Sequence, residues 1–282
     1  MRIAARAPNH LGDGVMALPA LRALARLGEL TIHAPPWGEA LFRDVPARIA
    51  PRGPMRADAA ALFAPSLRAA LEARRCRRRV GLATDHRRWL LTQVVEPATH
   101  RADTYARIAA ALGAEVEGEP RFAARPDDPH PDVPDGHVGL NPVSVSGAVR
   151  EWRGWLALAD RLDRPVVFYG GPGEEARVAA VAGPHRRIVG LPLPAFARAL
   201  ERCAVFVSND SGPAHFARAC GAPTVVVHGS TTASRTGPVG AVPVEGPDLD
   251  CRPCYRQRCR RALECFDIPV ERVLAAVRSA AP

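Results

Sequence analysis

Apolar positions along the chain follow two periods that alternate from end to end. Short runs such as 3–7, LTIHA (30–34), DAAALFAP (58–65) and RRVGLA (78–83) read as strands, and stretches with a helical repeat separate them. The first helical pattern, VMALPALRALARLG, follows the loop PNHLGDG and stops at Gly28, while Pro19 inside it predicts a late start or a kink. Further helices are expected at 66–75 and 103–113. In the second half the alternation is more regular: VGL (138–140), a helix over 154–162, PVVFYG (165–170), a helix over 174–182, RIVGL (187–191), a helix over 194–202, AVFVS (204–208), a helix over 213–220 and PTVVVHG (223–229). A last helix is expected over VERVLAAVRSA (270–280). Strands that are apolar throughout and separated by helices imply an α/β fold with parallel sheets covered on both faces.

Between the halves, EGEPRFAARPDDPHPDVPDG (117–136) has no apolar period and is rich in proline and acidic residues, which is the composition of a linker. The expected organisation is an N-terminal domain over 1–117, a linker over 118–136, a C-terminal domain over 137–267, and a final segment over 268–282 whose helix packs across both domains. A length of 282 residues suits such a division.

Composition changes the picture mainly through charge. With 47% apolar and 24% charged residues the chain is an ordinary globular protein. All 38 basic residues are arginine, against 29 acidic ones, for a net charge of +9. Any chemistry that needs a cation must therefore use arginine, and phosphates, acidic lipids or nucleic acid are the favoured partners. The run RRCRRR (74–79) reads equally well as a solvated basic surface. There is neither an apolar run of transmembrane length nor a signal-like apolar segment near the N-terminus, so a cytoplasmic location is expected.

Candidate chemistry gathers where strands turn into helices. NDSGPAH (209–215) leaves an apolar strand and opens a helix with Pro213 in its first turn. The amides of Ser211 and Gly212 would face an anion there, or Asp210 or Ser211 merely caps the helix. His215, on the same turn, has no purpose as a cap and is expected to face the same mouth, with GST (229–231) as a second small-residue loop beside it. In LGDG (11–14), Asp13 reads as a helix cap or as an uncrowded base. The loop VSVSGAVREW (143–152) offers Ser144, Ser146, Gly147 and Arg150, a set that suits a diphosphate or a plain surface loop. In GGPGEE (170–175), Glu174 and Glu175 either favour a helix N-terminus or bond a ribose or base; the glycines do not match GxGxxG.

Cys251, Cys254, Cys259 and Cys265 are separated by two, four and five residues. Such a set could bind zinc or an iron–sulfur cluster, while the surrounding arginines would lower thiol pKa values and favour reactive or disulfide chemistry. Cys76, Cys203 and Cys220 stand alone and read as buried or incidental thiols. DLD (248–250) follows no strand and reads as chance.

Taken together, PNHLGDGVMALPALRAL, LFAPSLRAAL, RRVGLATDHRRWLLTQVV, HRADTY, VREWRGWLALADRL, FYGGPGEE, VFVSNDSGPAHFARACGAPTVVVHGSTTASRTGP and CRPCYRQRCRRALECFDIPVERVLAAV resemble the heptosyltransferases of glycosyltransferase family 9. The cysteine-rich tail places the likeness nearest the heptosyltransferase II branch. The resemblance implies a GT-B architecture, two Rossmann-like domains with parallel sheets facing a central cleft, the first holding the acceptor and the second an ADP-heptose donor. It implies an inverting reaction that needs no metal and no cofactor beyond the nucleotide-sugar substrate. Asp13 matches the proposed base of the family; Asp210, Ser211, Gly212 and His215 match its donor motif; Glu174, or Glu175 one place on, matches a nucleotide-contacting glutamate. Where the family carries K-R-W this chain has Arg150, Glu151 and Trp152, so Arg150 keeps the charge that grips the leaving diphosphate.

The implied acceptor is a phosphorylated lipopolysaccharide core glycolipid at the cytoplasmic membrane face, attracted by Arg74, Arg87 and Arg88, with peripheral membrane contact and no nucleic-acid partner. Two other readings remain open: another GT-B nucleotide-sugar enzyme, with a different acceptor or epimerase chemistry, and a non-catalytic basic module that binds anionic surfaces.

Overall fold

The computed structural model describes residues 1–256 and 258–281; Gln257, inside the cysteine-rich run, and Pro282, which ends the expected C-terminal segment, lie outside the described residues. The chain divides into two units, Met1–Arg121 and Phe122–Pro282.

In the first unit β1 (Arg2–Arg6) leads into α1 (Leu11–Met16) and α2 (Leu18–Leu27), followed by β2 (Glu29–Ala34), α3 (Gly38–Leu41), β3 (Arg48–Pro51), β4 (Ala59–Leu62), α4 (Leu67–Glu72), β5 (Arg78–Gly81), β6 (Gln93–Val94) and α5 (Arg101–Ala110). All strand pairs are parallel, in the order β3-β2-β1-β4-β5-β6. The helical pattern that follows β1 forms two helices rather than one: Ala17 separates α1 from α2, and Pro19 falls in the first turn of α2, where an N–H has no intrahelical partner to lose. Every residue of β4 is buried, and its small side chains let Ala70 and Ala73 approach the sheet through a cluster with Ala60, Leu62 and Met55.

The second unit runs β7 (His137–Asn141), α6 (Trp155–Ala159), β8 (Val166–Gly170), α7 (Glu175–Ala182), β9 (Arg186–Val189), α8 (Leu193–Glu201), β10 (Cys203–Asn209), α9 (Gly212–Ala219), β11 (Thr224–His228), α10 (Ala233–Thr236), β12 (Val242–Glu245) and α11 (Val270–Ala280). Its strands are again all parallel, in the order β12-β11-β10-β7-β8-β9. β7, β10 and β11 are buried along their whole length, as the apolar runs predict for strands covered on both faces. Complete burial of side chains such as Phe168 and Phe206 contributes about 2 kcal/mol each. α11 packs on β10, β11, β12 and α6, with Val273, Leu274 and Val277 in the core. Within the proline-rich segment, Phe122 is buried; its N–H donates to the Ala219 carbonyl at 2.8 Å and its ring lies 4.8 Å from that of Phe216.

Counted from its own first strand, each sheet has the doubly wound order 3-2-1-4-5-6. The winding reverses between β1 and β4 in one unit and between β7 and β10 in the other. Ligands of such sheets bind beyond the carboxyl ends of the strands at that reversal. Asp13 follows β1, the serine-rich loop follows β7, and Asp210 to His215 follow β10, so all three segments start at a reversal point. Among the described residues no helix is long and apolar enough to cross a membrane.

Candidate active site

The capping reading of NDSGPAH is not what the chain adopts. Ser211 occupies the N-cap position of α9 with extended backbone, but no side chain makes a cap hydrogen bond there. The Ser211 hydroxyl meets that of Ser208 at 2.9 Å and donates to Asn141 Oδ1 at 3.4 Å. Asp210, 7% exposed, accepts from the Thr236 hydroxyl at 2.8 Å, and His228 Nδ1 lies 3.9 Å from the same oxygen and 3.2 Å from the Thr231 hydroxyl. The first turn of α9 thus keeps its amides clear of any side-chain cap, at the positive end of the helix dipole. His215 is buried on that turn rather than displayed at the mouth. Burial lowers the His228 pKa against the pull of Asp210 and Glu245, so the imidazole beside Asp210 is neutral at pH 7.

Asn209 ties the serine-rich loop to β10. Its amide donates to the Pro142 carbonyl at 2.8 Å and accepts from the Trp152 N–H at 3.0 Å, while the Trp152 indole donates to the Ile268 carbonyl at 2.9 Å. Inside the loop, Ser146 N–H donates to Ser144 Oγ at 3.2 Å, and Gly147, at φ 70°, turns the chain in a conformation that suits glycine. Glu151 accepts from Ser144 N–H at 2.8 Å and pairs with Arg177, which also donates to the Ser144 carbonyl at 2.9 Å. Arg150 ends the turn half-buried, with its Nε buried and without a hydrogen-bond partner among the described residues.

The expected nucleotide contact of Glu174 competes with bonds inside its own loop: Gly171 N–H donates to Oε2 at 2.7 Å and Arg177 to Oε1 at 3.3 Å. Glu175 is exposed in the first turn of α7. Arg252 was not anticipated as a site residue. It donates to the carbonyls of Gly229 at 2.6 Å, Thr231 at 3.1 Å and His228 at 3.2 Å and pairs with Glu245 at 2.6 Å, so it holds the small-residue loop after β11. In the sequence it stands inside the CRPC run, with nothing in its spacing that marks it as a partner of the loop after β11.

All four of those cysteines line one cavity of about 30 Å3, together with Ser230, Val149 and several arginines. They are free thiols. Burial, followed by the other three thiols, pushes Cys265 up to about 11, the reverse of the lowering expected from neighbouring arginines. Among the described residues no group of three or more His, Cys, Asp or Glu side chains is placed so as to hold a metal ion.

In the first unit Asp13 lies within α1, with its side chain 14% exposed, and does not cap the helix, whose N-cap is His10. A Cβ on Gly14 would lie 2.7 Å from the Trp37 ring, so glycine lets α1 pack closely there. Arg101 Nη1 donates to both Asp13 oxygens, at 3.0 and 3.3 Å, and the carboxylate, after burial, raises the pKa of the buried Tyr105 hydroxyl.

The three arginines expected to meet an acceptor separate. Arg74 lies between α4 and β5, at the amino end of the sheet, and donates to the Leu71 carbonyl at 3.3 Å. Arg87 is fully buried and donates to the carbonyls of Ala64 at 2.7 Å, Leu82 at 2.8 Å and Ser66 at 3.1 Å; burial lowers its pKa to about 10. The full burial of Arg87 corrects the expectation that it meets an acceptor, whereas Arg74 is exposed but away from the carboxyl ends of the strands. Arg88 is exposed after β5, beside Trp89, which is 73% exposed.

Known proteins share this architecture and part of this sequence. Residues 58–263 match the family described as glycosyltransferase family 9 (heptosyltransferase). The E. coli ADP-heptose lipopolysaccharide heptosyltransferase II structure is 20% identical, with a TM-score of 0.78 over 99% of this chain and 98% of that one. E. coli heptosyltransferase WaaC with ADP-2-deoxy-2-fluoro heptose is 14% identical, with a TM-score of 0.72 over 100% of both chains. The iron-containing dodecameric glycosyltransferase TibC from enterotoxigenic E. coli H10407 is 15% identical, with a TM-score of 0.70 over 99% of this chain and 78% of that one. No curated protein matches. At these identities the structures speak for the fold, GT-B with two Rossmann-like sheets. The family match takes in the loops after β7, β10 and β11, stops short of Asp13, and covers more than two thirds of the sequence; the chain belongs to glycosyltransferase family 9, the heptosyltransferases.

Proposed function

We propose that the protein is an inverting glycosyltransferase that moves heptose from ADP-heptose to a phosphorylated lipopolysaccharide core acceptor. The observation that carries this reading is the uncapped first turn of α9 at the reversal point of the second sheet, inside the family match. A diphosphate accepted there would be met by the amides of Ser211 and Gly212 and by the helix dipole. Ser144 and Ser146 would add hydroxyl donors from the neighbouring loop, where Gly147 turns the chain, and Arg150, whose buried Nε has no hydrogen-bond partner among the described residues, would supply the cation.

Asp210 is already held by Thr236, so its role is to shape the loop while the amides and Arg150 take the phosphates. His215, buried on the same turn, would fix the packing of that turn beneath the donor. Glu175, exposed at the start of α7, is the freer partner for ribose or base; Glu174 would have to give up its own loop bonds.

In the reaction an acceptor hydroxyl gives its proton to Asp13 as its oxygen attacks the anomeric carbon. The bond from that carbon to the β-phosphate oxygen breaks, and its electron pair leaves on ADP. One displacement inverts the configuration. Asp13 serves as base and Arg150 stabilises the charge that grows on the diphosphate, the place where electrostatic catalysis acts most strongly. Arg88 and Trp89 would meet the anionic sugar acceptor, delivered at the inner face of the membrane with the enzyme as a peripheral visitor. The iron belongs to TibC, and no step above uses a metal.

Calorimetric titration with ADP, GDP and UDP, followed by transfer assays on truncated core acceptors, tests the reading. ADP is expected to bind tightest; a clear preference for UDP would overturn the heptose assignment.

A further inference from the structure

The reading of Asp13 as the base leaves open what holds its carboxylate in a productive orientation, and the first unit supplies a specific arrangement. Arg101 and Tyr105 stand four residues apart on α5 and so share one face of that helix. One nitrogen, Arg101 Nη1, bridges both Asp13 oxygens at 3.0 and 3.3 Å. Tyr105 lies close enough to this pair for the charges of both Asp13 and Arg101 to act on its hydroxyl, which completes a three-residue polar cluster. Tyr105 is only 5% exposed, and its ring packs edge-on against Phe63, 5.6 Å between centroids at 88°, so the hydroxyl cannot wander. Burial drives the Tyr105 pKa well up, with Asp13 adding to it, so the phenol stays protonated and uncharged beside the ion pair.

The cluster is asymmetric. The Arg101 side chain is 40% exposed, whereas Asp13 is 14% exposed and Tyr105 lies beneath. A carboxylate offers about four lone-pair positions. Arg101 takes one from each oxygen, which leaves lone pairs on the carboxylate for an incoming hydroxyl. On the other side, α1 is pinned by the close approach of Gly14 to Trp37. Backbone and carboxylate are therefore both restrained, and the restraint on the carboxylate comes from α5.

We propose that Arg101 and Tyr105 are positioning residues for the transfer reaction, holding the Asp13 carboxylate in the one orientation from which it can take the acceptor proton. This rests on Asp13 being the base. A simple structural staple between α1 and α5 would affect folding but not the chemical step, whereas a misaimed base loses rate at constant donor affinity, by as much as about 100-fold for small displacements.

The test uses the full chain with ADP-heptose and an O-deacylated core acceptor, comparing Arg101→Met, Arg101→Lys, Tyr105→Phe and Asp13→Asn. Arg101→Met is expected to lower kcat about 30-fold with donor KM, ADP affinity and melting temperature unchanged. Arg101→Lys should recover part of that loss, and Tyr105→Phe should cost about 10-fold in kcat alone. If Asp13→Asn is inactive while Arg101→Met and Tyr105→Phe keep wild-type kcat, or lose it only in step with stability, the positioning role is wrong and the base survives. If Asp13→Asn turns over normally, the base assignment itself fails. Should Arg101→Met fold poorly, Arg101→Lys and Tyr105→Phe decide the matter through the same split between kcat and KM.

Discussion

The side-chain carbonyl of Asn209 accepts a hydrogen bond from the backbone N–H of Trp152 at 3.0 Å, and this bond ties the loop that follows β7 to the end of β10. The two ends of the proposed diphosphate cradle are thereby fixed to each other by one fully buried amide, whose N–H side also donates to Pro142. Asn209→Ala would leave the Trp152 N–H and the Pro142 carbonyl unpaired, at a cost of about 2–3 kcal/mol. Thermal unfolding should show that loss, and calorimetry should show ADP binding weakened about 10-fold, since the loop no longer keeps its distance from α9. Asn209→Asp, which keeps the acceptor but cannot donate to Pro142, should fall between the two.

Gly14 offers a test of how the Asp13 turn is built. A methyl at this position would meet the Trp37 ring at 2.7 Å and Leu41 at 3.0 Å. Gly14→Ala should therefore cost about 1–3 kcal/mol in chemical denaturation and lower kcat as α1 shifts. Pairing it with Trp37→Leu should restore most of the stability.

Much of this architecture is legible in the chain because β7, β10 and β11 are buried on both faces and so appear as unbroken apolar runs. The edge strands are not legible for the opposite reason. β3 is only partly buried, ends on Pro51, and pairs on one side alone; β12 carries Pro243, whose missing N–H is tolerated because it stands at an edge; β6 is two residues long. The site shows the same division. Position along the chain identifies the turn at Asp210, but not that Ser211 turns away from its own helix, because its partners are Ser208 and Asn141, the latter 70 residues away. From the sequence Arg87 reads as a cation that meets an anionic acceptor; only the three carbonyls that surround it reveal its structural role.

The arginines of the first unit should respond differently to removal. Arg88→Ala is expected to raise the acceptor KM several-fold at low ionic strength, with the effect shrinking as salt screens the charge. Arg74→Ala should leave kinetics unchanged. Arg87→Met should destabilise the first unit by about 3 kcal/mol through three abandoned carbonyls, visible as a fall in the denaturation midpoint.

Stability should fall as the solution becomes mildly acidic. His137 is fully buried; its Nδ1–H donates to the Pro134 carbonyl at 2.8 Å, which leaves Nε2 to accept from the Tyr169 hydroxyl at 2.8 Å. Burial lowers the His137 pKa, as it does for His228. Below about pH 6.5 the unfolded chain takes up protons at these positions that the folded chain refuses, so folding free energy declines as pH drops through that value. Melting temperatures measured from pH 7.5 to 5.5 should decrease, and His137→Gln should flatten the slope; an unchanged slope would mean that the imidazole is charged in the folded protein.

The central claim is a single displacement at the anomeric carbon of ADP-heptose, with Asp13 accepting the proton. Proton NMR of the product formed on an O-deacylated core acceptor reads the anomeric configuration directly. The account predicts a heptoside of configuration opposite to the donor, formed as ADP is released; a product of retained configuration, or ADP-heptose left untouched while another nucleotide sugar is consumed, would contradict it.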